Sequence, residues 1–171
     1  MRGAAVRLAL AAVALVPGAL AAQRPEVAPL AAYLGRWHTV GRSLATRYSQ
    51  EGRSTADLEC RWSVGGRFLA CDMQIVAGTD SIEQLSAYGA ADSGFFALYA
   101  VTPGGRPAYS SRVTIAGTRW TYENPHAPAT GTRWRTVNEW LSPTEMHWRA
   151  EFSDDGRTWT VTNEGVTTKV E

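Results

Sequence analysis

Cysteine is scarce in this chain: 171 residues contain two, Cys60 and Cys71, both inside CRWSVGGRFLAC. They form no C-x-x-C pair, which argues against a thioredoxin-like redox centre. Histidine is equally scarce, with three residues, His38, His126 and His147, and no two of them at zinc-ligand spacing. No G-x-S-x-G elbow, P-loop or dinucleotide fingerprint is present. Charge of one sign is missing as well. Seventeen Lys and Arg face sixteen Asp and Glu, so nothing supplies the basic face that nucleic acid requires or the polybasic cluster that anionic membranes attract.

One apolar run stands out, Leu8–Val16, behind Arg2 and Arg7. It is too short to span a bilayer stably and is followed by Ala19-Leu20-Ala21, an A-x-A pattern. The expectation is a secretory signal peptide over residues 1–21, a lead-in over 22–33 and one domain over 34–171. Cleavage removes two arginines and leaves 15 basic against 16 acidic side chains. The product would be exported, periplasmic or extracellular, with no stable membrane insertion.

Export gives the cysteines a meaning, because disulfides persist outside the reducing cytosol. The two stand symmetrically about Gly65-Gly66, so a two-residue hairpin there sets them face to face, within bridging distance. Two buried free thiols remain the alternative. The flanks support the register. Ala56, Leu58, Cys60, Trp62 and Val64 alternate with Asp57, Glu59, Arg61 and Ser63, and the same apolar face continues through Leu69, Cys71, Met73 and Ile75.

Three later turns extend the pattern. Gly117-Thr118 sets Ile115 opposite Trp120 and Val113 opposite Tyr122. Pro143 sets Trp140 opposite Met146, and with it Asn138 opposite Trp148, Thr136 opposite Ala150 and Trp134 opposite Phe152. Asp155-Gly156, read as a two-residue turn, sets Phe152 opposite Trp159, Ala150 opposite Val161 and Trp148 opposite Asn163. Further strands are expected near 37–43, 81–89, 95–102 and 107–115, with no amphipathic helix of useful length. About ten short strands joined by hairpins predict an all-β, up-and-down antiparallel meander closed into a barrel.

Gly35-Arg36-Trp37 at the head of the first strand, followed by such a meander, resembles the calycin group of lipocalins and fatty-acid-binding proteins. The segments Gly65–Leu69 and Ser153–Trp159 are similar to those of exported bacterial calycin-like proteins of unknown function. The resemblance implies that Trp37 closes one barrel end and that a basic residue near the last strand, here Lys169, packs on it. It implies little about activity, since fold does not set function.

The registers place Trp62, Trp120, Tyr122, Trp134, Trp140, Trp148 and Trp159 on the apolar side, with Asn138, Asn163 and Thr136 among them. Such residues fill a core, or they line a chamber in a barrel too wide to fill. On the second reading Trp62, Trp120, Tyr122, Trp134, Asn138, Trp148, Trp159 and Asn163 bind a small hydrophobic or aromatic molecule, and an unpaired Asn amide meets its polar end. Outward lie Arg135 opposite Glu151 and Glu139 opposite His147, a solvated face. His38 also points out and His126 sits in a loop, so no inward histidine is expected to hold haem. No catalytic residue, metal or cofactor is expected. Asp154-Asp155 occupies a turn, and Asp80, Glu83 and Asp92 are scattered. Three functions stay open: a binding barrel, a filled barrel with a structural or partner-binding role in the envelope, and a small-barrel enzyme acting on a hydrophobic substrate. The last lacks a titratable group inside.

Overall fold

The computed structural model describes residues 25–63, 65–91, 96–102, 108–124 and 131–170. The expected signal peptide, Val64, Asp92 and His126 therefore lie outside the described residues. A 3-10 helix, Pro25–Tyr33, precedes ten strands: β1 (Gly35–Ser43), β2 (Gly52–Trp62), β3 (Leu69–Ala77), β4 (Asp80–Ala90), β5 (Phe96–Val101), β6 (Tyr109–Ala116), β7 (Arg119–Glu123), β8 (Arg133–Ser142), β9 (Glu145–Ser153) and β10 (Thr160–Val170). Each strand pairs antiparallel with its neighbours in sequence, and β1 returns to β10. The ladder is thus a closed barrel with no free edge, the all-β meander expected from the alternation.

The first hairpin has the expected register. Cys60 faces Cys71, and Leu58 faces Met73. Its loop is wider than two residues, because Ser63 N–H bonds Phe68 C=O at 2.8 Å. Widening a loop by one residue on each side leaves the pairing unchanged, which is why the symmetry about Gly65-Gly66 still located the partners. Both glycines have positive φ, 87° and 62°, a backbone state that side chains resist. Cys60 and Cys71 form a disulfide with Cα atoms 4.1 Å apart.

The β6–β7 and β8–β9 registers also match expectation: Ile115 faces Trp120, Asn138 faces Trp148, and Trp134 faces Phe152. Arg135 meets Glu151 on the outer face at 2.5 Å, but the pair is not solvated as expected: Glu151 is buried, with Arg149 as a second partner. His147 lies opposite Glu139 as expected, but its ring contacts Glu145, 3.4 Å away.

The last hairpin departs from expectation. Phe152 faces Thr160 rather than Trp159, Ala150 faces Asn163 rather than Val161, and Trp148 faces Gly165 rather than Asn163. Two local causes add up. Asp155 Oδ1 accepts from the N–H groups of Arg157 and Thr158, both at 2.7 Å, and from Ser153 Oγ at 3.0 Å. These bonds wrap a long loop where a two-residue turn was expected. A β-bulge then falls between Val161 and Asn163. The shift beside the loop is one residue, so Trp159 changes face and stacks outside on Arg135, whose guanidinium carbon lies 3.8 Å from the ring centroid. Beyond the bulge the shift is two residues, and Asn163 stays inside.

Residues 22–33 were expected as a bare lead-in, yet Pro25–Tyr33 folds into the closed end of the barrel and buries Val27, Leu30 and Tyr33. Their spacing of three is the 3-10 period, which stacks side chains at i and i+3 on one line. Trp37 is buried beside them; its Nε1 donates to Tyr33 C=O at 2.7 Å, and Lys169 Nζ lies 5.3 Å from its ring centroid. This is the end closure that the calycin resemblance implied.

Replacing Cys60 and Cys71 together by serine frees a loop of sequence separation 11 and is expected to cost about 3 kcal/mol. Denaturant unfolding under oxidising conditions checks this, with a lowered midpoint as the expected result.

Candidate functional site

The inward face divides into two halves. At the end carrying the 3-10 helix, the inward side chains are sealed. Leu30, Leu69 and Val113 are 0% exposed, and Tyr33 sits at the centre of an aromatic cluster. Its ring lies edge-on to Trp120 at 5.2 Å and to Trp140 at 5.1 Å, and stacked on Tyr88 at 5.7 Å. Such contacts add to the area they bury.

A polar relay runs through this cluster. Asn138 Nδ2 donates to Tyr33 Oη at 2.6 Å, Tyr122 Oη lies 2.6 Å away on the same oxygen, and Tyr33 O–H points at Met146 Sδ, 3.6 Å off. Burial pushes the Tyr33 hydroxyl up from 10.0 to about 12, and burial likewise raises Tyr88 and Tyr122. A phenolate here would be stranded away from water. Among the described residues, Asn138 Oδ1, Trp140 Nε1 and Trp148 Nε1 are buried without a hydrogen-bond partner.

The other half is less tightly filled. Met73, Ile75, Ile82, Thr136, Trp148 and Ala150, all inward by register, are half-buried. Trp148 lies flat against two glycines: a Cβ on Gly41 would stand 2.8 Å from its Cζ2, and one on Gly165 would stand 2.9 Å from its Cε2. Those glycines let the indole lie along the wall instead of crossing the lumen. Asn163 Nδ2 donates to Ser43 Oγ at 2.7 Å. At the mouth, Trp134 is 43% exposed and packs against Phe152, ring centroids 5.6 Å apart.

The eight residues expected to bind a ligand therefore separate. Trp62, Trp120, Tyr122 and Asn138 belong to the sealed half. Trp148, Asn163 and Trp134 line the accessible half, and Trp159 is outside. What the reasoning from sequence missed is Tyr33 and the connection 44–51, whose Tyr48 contacts Trp134 and Phe152. Tyr33 is legible in the three-residue apolar repeat, whereas Tyr48 sits in a polar loop with no period.

Two concavities lie on the outer wall. One of about 840 Å³ is bordered by Asp57, Glu59, Asp72, Glu83 and Leu85, and one of about 550 Å³ by Arg42, Arg53, His147, Arg149 and Glu164. Among the described residues no three His, Cys, Asp or Glu side chains gather as metal ligands.

Tyr33→Phe is expected to cost about 1–2 kcal/mol, because Asn138 Nδ2 and the Tyr122 hydroxyl lose their shared acceptor. The raised Tyr33 pKa also gives a pH dependence. Its stabilisation is complete below 10.0 and disappears as pH climbs through about 12. Wild type should therefore lose stability across that window, and Tyr33→Phe should show a smaller alkaline loss in denaturant midpoint.

No protein-family model matches the sequence, and no curated protein matches it. Among solved structures, Rv2717c of M. tuberculosis superposes with a TM-score of 0.62 at 14% identity, over 88% of this chain and 100% of that one. The S-type phycobiliprotein lyase CPES of Guillardia theta superposes with a TM-score of 0.50 at 7% identity, over 82% of this chain and 89% of that one. At such identities the likeness is one of fold: the chain is a closed ten-stranded antiparallel barrel that shares the fold of these two proteins.

Proposed function

We propose that the protein binds one small apolar molecule in the accessible half of its barrel, between Trp148, Trp134, Ile75, Ile82 and Ala150, with Asn163 and Thr136 near its polar end. One observation carries the reading: the helix-capped end holds the most deeply buried inward side chains, Leu69, Val113 and Trp120 among them, whereas Ile75, Ile82, Thr136 and Ala150 toward the mouth are half-buried. These four half-buried inward residues support a lumen reached from the mouth, while Met73 and Trp148 also border the outer concavities. Indole and aliphatic walls favour an apolar ligand, and hydroxyl and amide groups interspersed among them suit a molecule with a polar terminus. The fold likeness to a phycobiliprotein lyase supports small-molecule handling only at the level of architecture.

Residues 1–21 are proposed to direct export and to be removed, leaving the barrel of residues 34–171 with its plug. The disulfide supports an oxidising destination. No helix among the described residues is long and apolar enough to cross a membrane. A second reading, a filled barrel acting through its surface in the envelope, has one observation in its favour. Leu85, Tyr99 and Val101, 49%, 61% and 55% exposed, share the outer face of β4 and β5.

Titration with the neutral probe N-phenyl-1-naphthylamine separates the two readings. Probe fluorescence should rise and saturate, with quenching of tryptophan emission, and Ala150→Trp should abolish uptake while the thermal midpoint stays near wild type. A linear, unsaturated response in wild type would favour the filled barrel.

A further inference from the structure

The connection between β1 and β2, residues 44–51, does not hang free. Leu44 N–H donates to Thr162 C=O at 2.7 Å, and Ser49 Oγ donates back to Leu44 C=O at 2.6 Å. Thr46 Oγ1 accepts from the N–H groups of Tyr48 and Ser49, both at 3.1 Å. The resulting knuckle carries Arg47 and Tyr48 past β10 to the rim at β9 and β8. There the Tyr48 ring meets Trp134 at 5.0 Å and Phe152 at 4.9 Å, both of them inward residues at the rim. Its hydroxyl reaches Thr132 Oγ1 at 3.0 Å, and Thr132 donates to Asp154 Oδ1 at 2.9 Å. The Arg47 guanidinium lies over the Tyr48 and Phe152 rings at 4.8 and 4.9 Å and pairs with Asp154.

The two barrel ends are closed by different physics. A disulfide, a buried helix and side chains sunk below 5% exposure close one of them. At the other, the β8–β10 side is covered by groups about half exposed: Tyr48 at 48%, and the side chains of Arg47 and Asp154 at 52% and 54%. Exposed ion pairs contribute little and weaken in salt, so this span can release without disturbing the ladder beneath.

We infer that the connection 44–51 is the gate of the chamber, with Tyr48 as its leaf and the Arg47–Asp154 pair as its latch. The inference rests on the binding reading above and adds the route and rate of entry. Opening removes Tyr48 from Trp134 and Phe152 and exposes the aromatic rim to an arriving apolar molecule. Closing replaces those contacts.

Stopped-flow mixing with N-phenyl-1-naphthylamine tests it. Asp154→Asn and Arg47→Ala should each raise association and dissociation rates together by about two- to fivefold, leaving the dissociation constant nearly unchanged. The double variant should be no faster than either single one, since both break one pair. High sodium chloride should accelerate wild type and leave Asp154→Asn unaffected. Unchanged rates in variants that bind the probe would overturn the gate and leave the binding chamber standing. A change in dissociation alone would make Arg47 a ligand contact and overturn the latch. Absence of probe uptake by wild type would remove the chamber, and the gate with it.

Discussion

Closure of the ladder is the constraint on which everything else depends. β1 pairs with β10 through eight residue pairs, from Arg36 opposite Val170 to Ser43 opposite Asn163. With no free edge, parity along each strand sorts side chains into inward and outward faces, except where the bulge in β10 resets it. The parity is visible chemically. Arg42 and Glu164, or Arg61 and Asp72, pair on the outside, while Trp37, Trp120, Trp140 and Trp148 collect within. Closure also obliges the wall glycines. A Cβ on Gly165 would stand 2.4 Å from Val40 C=O, so β1 and β10 meet this closely only where one side chain is missing.

The chain treats the two ends of the closed ring differently. One is plugged from the N-terminal side by a helix too short to be stable alone, held by Tyr33 through hydroxyl, carbonyl and ring contacts at once. Burial keeps that hydroxyl protonated far above neutral pH, and Asn138 Oδ1 and Trp140 Nε1 in the same half are buried without partners among the described residues. The plug and the aromatic rings around it thus form a rigid floor. Toward the other end several inward side chains are half-buried, and the connection 44–51 lies against Trp134 and Phe152 through exposed contacts.

Much of this architecture was legible before any coordinates. Period-two alternation and the cysteine symmetry located the first hairpin, because both survive a change in loop length. Pro143 and Gly117 located two more, because each enforces a turn at one place. Asp155-Gly156 misled, since Asp155 can cap a long loop with its own carboxylate as readily as it can enter a tight turn, and sequence alone does not weigh the two. The cost was one residue of register, which sent Trp159 outside. The bulge at Thr162 then added a second residue of shift and so returned Asn163 to the lumen. The division of the interior into sealed and accessible halves could not be read from alternation, which ranks residues by face and not by depth. Asn138 illustrates this: it faces inward as expected, but Tyr33, from the lead-in before the barrel, claims its amide.

The account stands or falls on whether the lumen takes up a molecule. Native mass spectrometry of the protein purified from its own host is the most direct measurement. The account predicts a fraction carrying one additional small mass that is released on denaturation and is apolar on extraction. Only the bare polypeptide mass, under conditions gentle enough to keep the barrel folded, would contradict it.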